Sequence, residues 1–152
     1  MTENAMKEDE FFSIARGPLG YLLRQAANVY RTRMESALQE MDVTGPQFTI
    51  LTIIAESPGC SNADVARLAL LTPQTVSLIV AKLVDLGLIE KQGHPIYKRV
   101  QVLTITAQGL RVLDQCAVKV AALEASLSAG FSAEEAAVIR RWIAHVIEQQ
   151  AL

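Results

Sequence analysis

Two helix-start signals eleven residues apart, then a glycine stop and a β-branched run, constrain this chain more than any other feature. Ser61 stands three residues before Asp64, a variant of the reciprocal box in which a hydroxyl caps first-turn amides and an acidic side chain reaches back. A short helical pattern comes next, with Val65, Ala66, Leu68 and Ala69 expected to face inward. Thr72-Pro73 opens a second helix: the hydroxyl caps it, and proline at the first helical position loses no hydrogen bond. Val76, Ile79, Val80, Leu83 and Val84 then recur at three- and four-residue spacing until Gly87, a left-handed stop. Two short helices joined by a tight turn, the second starting with short polar side chains, read as a helix-turn-helix.

The segment after Gly87 adds a wing. Leu88-Ile89-Glu90-Lys91 is a short strand candidate, Gln92-Gly93-His94-Pro95 has turn chemistry, and Arg99 to Ile105 is rich in β-branched residues. A hairpin attached to the second helix makes a winged helix-turn-helix. On these residues the chain resembles the MarR family of bacterial transcriptional regulators. The matching words are Thr44-Gly-Pro-Gln-Phe48, Asp64-Val-Ala-Arg-Leu68, Thr72-Pro-Gln-Thr-Val-Ser77, Leu83-Val-Asp-Leu-Gly-Leu-Ile-Glu90 and Ile105-Thr-Ala-Gln-Gly109. Their order and spacing carry the likeness, over roughly residues 18 to 150. The expected fold class is mainly α with a small β-hairpin wing, a reading lobe joined to a helical dimerisation lobe.

The chain of 152 residues fits one domain. Its expected parts are an acidic tail and helix entry (1–17), two first helices (18–56), the winged helix-turn-helix (57–106) and C-terminal dimerisation helices (107–152). In the first long helix, Leu19, Leu22, Leu23, Ala26, Tyr30, Met34 and Leu38 form a stripe that ends near Met41. Thr44 caps the next helix through about Glu56, with Phe48, Leu51, Ile54 and Ala55 expected to be buried. Cys60 is expected beside the wing. A long helix then runs through Leu110, Leu113, Ala117, Val120, Leu123 and Leu127 to Ala129-Gly130. Ser132 with Glu135 caps a last helix carrying Val138, Trp142, Ile143, Val146 and Ile147. These outer helices carry more apolar surface than a small reading lobe can cover, which points to a homodimer.

Charge is informative in its distribution. The formal net charge is −2, yet residues 61–106 hold five bases (Arg67, Lys82, Lys91, Lys98, Arg99) against three acids (Asp64, Asp85, Glu90). A locally basic lobe on an acidic body is compatible with nucleic acid. No long uncharged apolar run predicts a membrane span, and the acidic N-terminus is unlike a secretory leader, so a cytoplasmic protein is expected.

A recognition helix meets base edges with its first two turns. Its outward positions here make Thr72, Gln74, Thr75, Ser77, Leu78 and Lys82 the expected contacts. Gln74 suits an adenine edge, Leu78 a thymine methyl and Lys82 a phosphate. Thr72 and Thr75 are equally well explained as caps. Lys91, Lys98 and Arg99 are the wing candidates. The resemblance implies an Asp-x-Arg signature whose arginine lines the minor groove; Tyr97-Lys98-Arg99 stands there, so the arginine is kept and the aspartate is not. Leu70 also departs from the family's usual glycine, and the turn there is read as a continuation of the helix.

No catalytic or metal-ligand constellation is visible: His94 and His145 are far apart in sequence, and neither a phosphate loop nor a nucleophile elbow occurs. No enzyme and no cofactor are expected. Cys60 and Cys116 read as buried small hydrophobes, although oxidant sensing stays open. The resemblance implies a small aromatic or phenolic acid as effector, bound where the first helices meet the reading lobe. The expected lining is Phe11, Phe12, Arg16, Phe48 and Leu51, with Arg16 holding a carboxylate. Phe48 and Leu51 are equally well explained as core. Two functions are compatible with these features: a dimeric repressor of double-stranded DNA with a near-palindromic operator, or a winged-helix dimer that works through protein contacts with DNA binding lost.

Overall fold

A computed structural model describes residues 16–149. In chain order these form α1 (Leu19–Leu38), a 3-10 turn (Gln39–Met41), α2 (Gly45–Glu56), α3 (Asn62–Ala69), α4 (Pro73–Asp85), β1 (Ile89–Gly93), β2 (Gln101–Ile105), α5 (Ala107–Leu127) and α6 (Ala133–Glu148). The helix starts obey local chemistry. Thr44, Ser61 and Ser132 each accept from the amide three residues on, and Gln47, Asp64 and Glu135 reach back to close reciprocal boxes. The backbone and hydroxyl of Ser61, with Arg67, hold the Asp64 carboxyl below the usual carboxylate range.

Two apolar clusters organise the molecule. The first joins Ile50, Leu51 and Ile54 of α2 to Val65 and Ala66 of α3, Val76, Val80 and Leu83 of α4, and Leu88, Ile89 and Leu103 around the hairpin. The second joins Met34 and Leu38 of α1 to Val43 and to Cys116, Val120 and Leu123 of α5. Phe48 packs against the second, so α2 serves both, and Val112 of α5 touches both as well. Polar ties reinforce this packing: on α1, Tyr30 donates to the Glu124 carboxylate and Arg33 donates to Ser126 at 2.8 Å, while Lys119 of α5 pairs with Glu40 of the 3-10 turn at 3.2 Å. Burial and the Glu124 charge push the Tyr30 hydroxyl up to about 12.

The strands pair antiparallel, from Ile89 opposite Ile105 to Gly93 opposite Gln101. The hairpin is therefore displaced from its expected limits: β1 takes in Gln92 and Gly93, and β2 starts at Gln101 rather than Arg99. Cys60 does lie beside the wing. Leu103 donates to the Cys60 carbonyl at 2.8 Å, and Gly59 donates to the Leu103 carbonyl at 3.2 Å.

The start of α5 explains the Ile105-Thr-Ala-Gln-Gly109 word. The Thr106 hydroxyl donates to the Gly87 carbonyl at 2.7 Å and accepts from the Gly109 amide, while the Thr106 amide donates to Leu88. Thr106 thus pins the first turn of α5 against the end of the α4 turn. Gly109 is pressed so close that an added Cβ would stand 2.0 Å from the Leu88 carbonyl oxygen.

The inward sets need correction: Leu19 and Ala26 of the α1 stripe are exposed, and Phe48 and Ala55 of α2 are only half-buried. Leu68 is exposed, because α3 buries only Val65 and Ala66 and leaves Leu68 to one side. On α5, Leu110, Ala117 and Leu127 are exposed; Val120 and Leu123 are buried as expected, joined by Cys116. On α6 no residue is buried within the single chain; Val138, Ile139, Ile143 and Ile147 are all at least 40% exposed.

Candidate nucleic-acid interface

The axes of α3 and α4 meet at 114°, within the range of a helix-turn-helix. The turn is made by Leu70, which takes the left-handed conformation (φ 53, ψ 41) and ends α3. The helix therefore does not continue through Leu70. The Leu71 amide returns to the Ala66 carbonyl at 3.1 Å, and its side chain packs on the first cluster. A leucine held there carries the left-handed penalty that glycine avoids. Leu70→Gly is expected to stabilise the fold by about 0.5–1 kcal/mol, net of the added freedom of the unfolded chain. A lower urea midpoint in the variant would show that the half-exposed leucine side chain outweighs the strain.

Thr72 caps α4, accepting from the Thr75 amide at 3.2 Å, and the two hydroxyls lie 2.8 Å apart. Thr72 is thus the cap and Thr75 the residue whose amide it receives, and both remain exposed. Val76, Val80 and Leu83 face the core. The opposite side carries Gln74, Thr75, Ser77, Leu78 and Lys82, all exposed, with Leu78 at 75%. Pro73, Gln74, Ser77 and Leu78 together line a shallow, open and largely apolar depression. Asn62, at the first position of α3, donates its amide to Ser77 at 3.5 Å and so borders this face. Sequence reasoning missed Asn62, since nothing but its place after the Ser61 cap marks it.

Lys91 lies on β1, and Lys98 and Arg99 lie in the loop between the strands; all three are exposed. Neither these nor Lys82 pairs with any described acid. Four uncompensated cations flank a face that is otherwise polar or apolar, an arrangement suited to phosphates around a groove.

The candidate ligand residues are placed less uniformly. Phe11 and Phe12 lie outside the described residues. Arg16 is exposed just before α1, Phe48 is half-buried against the second cluster, and Leu51 has no exposed surface. Leu51 is thus a core residue that presents no surface to a ligand in this conformation. Burial pushes both cysteine thiols up, Cys60 further through Asp64, which keeps them protonated and disfavours thiolate chemistry. No metal-binding cluster occurs among the described residues, and no single described helix is long and apolar enough to cross a membrane.

Comparison with known proteins agrees with this geometry. The MarR family model matches residues 41–96, from the 3-10 turn into the wing loop. The HTH-type transcriptional repressor Rv2887 of Mycobacterium tuberculosis is 32% identical over 126 residues, 83% of this chain and 91% of the relative. The structure of Rv2887 in complex with salicylic acid superposes with a TM-score of 0.67 at 31% identity, over 86% of this chain and 96% of that one. The S. aureus MepR–DNA complex, at 19% identity and a TM-score of 0.81 over 88% of this chain and 99% of that one, shares the fold. The winged helix-turn-helix, its motif order and the extent of the match to a repressor of this type together show that the chain belongs to the MarR family of transcriptional regulators.

Proposed function

We propose that the protein is a cytoplasmic homodimeric repressor that binds a near-palindromic operator and releases it when a small aromatic acid binds. The observation that carries DNA binding is the uncovered face of α4, where Gln74, Thr75, Ser77 and Leu78 stand clear of the core beside unpaired Lys82. Gln74, Thr75, Ser77 and Leu78 are assigned to base edges, Thr72 and Lys82 to phosphate, and Lys91, Lys98 and Arg99 to the backbone and minor groove.

A second copy accounts for the outer helices. Leu19 and Val29 of α1 are 64% and 59% exposed, and on α6 Val138, Ile139, Ile143 and Ile147 stand open while Trp142 and Val146 are only half-buried. Along α1 runs an open, largely apolar trough of about 860 Å³, lined by Tyr21, Leu22, Val29 and Arg33 with Leu127 and Phe131 from the α5–α6 turn, and we assign it to a partner's apolar side chains. A two-fold dimer places two recognition helices one turn of DNA apart, roughly 34–36 Å. Light scattering at micromolar concentration is expected to give twice the chain mass. A monomer would end the dimeric reading.

The effector class rests on the salicylic acid complex of Rv2887. Phe11, Phe12, Arg16 and Phe48 are the residues assigned to it, with the Arg16 guanidinium toward the carboxylate. Such a ligand weakens operator binding only by its preference for a conformer with misplaced recognition helices. Footprinting on genomic fragments tests the whole reading: two protected half-sites about 10 bp apart are expected, with release on adding salicylate or related acids. Uniform protection without a preferred site would contradict it, and a panel of aromatic acids without effect would remove the effector.

A further inference from the structure

The loop from His94 to Val100 crosses between the strands of the wing, and one side chain holds it. The His94 Nδ1 accepts from the backbone amide of Ile96 at 3.1 Å and from that of Tyr97 at 3.0 Å. The imidazole also lies on the Tyr97 ring, with centroids 5.1 Å apart and planes at 42°. The His94 amide donates to the Val100 carbonyl at 2.8 Å, and the Val100 amide donates to the Tyr97 carbonyl at 2.8 Å. Two amides converging on Nδ1 require that nitrogen to be unprotonated, so a neutral ring carries its proton on Nε2. Lys98 and Arg99 sit between the two points of closure, Tyr97 and Val100, and both project into solvent.

We propose that His94 is the positioning residue of the wing: its imidazole clamps the loop so that Lys98 and Arg99 meet DNA in one geometry. The proposal rests on the reading that the wing engages DNA. In the family pattern a carboxylate two residues before the arginine can orient the guanidinium; Tyr97 offers none, and the clamp orders the backbone that carries Arg99 instead. A loop already held in its docked form loses less freedom on binding. Without the clamp, operator affinity is expected to fall about two- to tenfold per half-site.

The test uses the full-length protein and a footprinted operator duplex, with fluorescence anisotropy on Arg99→Ala, His94→Ala, His94→Asn and the double variant H94A/R99A. Amide exchange of Ile96 and Tyr97 in the free protein reports the clamp without DNA. Asparagine can accept from amides two and three residues on, so His94→Asn restores the clamp without the ring. His94→Ala is expected to speed exchange and weaken binding, His94→Asn to recover both, and the double variant to lose less than the product of the two single losses, the remainder being the Lys98 contact. Wild-type affinity in His94→Ala, with Arg99→Ala impaired, overturns the proposal and leaves the wing contact standing. Fully multiplying losses in the double variant overturn it too, as does a His94→Asn variant with slow exchange and weak binding, which would place the ring itself on DNA. If Arg99→Ala binds normally, the wing leaves the interface and the proposal falls with it.

Discussion

Gly109→Ala is expected to destabilise the fold by about 3 kcal/mol, the upper end of ordinary overpacking, because the added methyl meets backbone rather than a side chain. Its Cβ would stand 2.0 Å from the Leu88 carbonyl oxygen and 2.7 Å from an Ile105 side-chain carbon. The Leu88 carbonyl cannot rotate away cheaply, since it accepts from the Thr106 amide at 3.0 Å. Relief therefore moves the first turn of α5 off the hairpin and breaks the Thr106 tie. For a domain of this size the thermal midpoint should drop by about 6–12 °C. A midpoint within a degree of wild type would mean that α5 and the hairpin do not meet as described. Because the same contact sets the wing on α5, operator affinity should fall with stability.

The second large effect is expected in binding, with stability kept. Leu78 is 75% exposed at the centre of the α4 reading face, so Leu78→Glu changes no core contact, and glutamate is a good helix former. The carboxylate would face base edges and phosphates in the groove while the methyl contact is lost. Like charges brought together across an interface cost several kcal/mol, and about 3 kcal/mol is a loss of roughly a hundredfold in operator affinity. The thermal midpoint should stay near that of wild type. A variant that keeps operator affinity would show that this face of α4 does not enter DNA.

The features legible in the sequence are local ones. Thr44, Ser61, Thr72 and Ser132 announce their helices because a cap needs only residues three apart, and all four caps form. Periodicity also locates the helix faces, but it names no partner. The α6 stripe is apolar and regular, yet the single chain leaves it open, because whatever covers it does not lie in this chain's own core. Leu68 departs from expectation for a related reason: a helix of eight residues buries a narrow arc, and Val65 and Ala66 fill it.

Leu70 shows tertiary structure overriding propensity. A continuing helix avoids the left-handed penalty, but it would carry Leu71 off the core against which it packs. The wing boundaries are displaced because composition does not set register; the ladder ends where His94 closes onto Val100. In the sequence His94 is only a turn residue. Its role depends on the direction of one ring nitrogen, which no spacing rule contains. The outward residues of α4 are legible because the cap fixes the phase of the helix, whereas Leu51, expected beside a ligand, lies wholly in the core.

The salt dependence of operator binding tests the central claim most directly. Each phosphate neutralised by a lysine or arginine contributes about −0.9 to the slope of log affinity against log salt. With Lys82, Lys91, Lys98 and Arg99 of two protomers at the duplex, measurement between about 50 and 200 mM salt should give a straight line with a slope of about −4 to −7. The footprinted operator should stay well above a scrambled duplex throughout. A slope near zero, or equal affinity for the two duplexes, would contradict a sequence-reading dimer and leave protein contacts as the use of this winged helix.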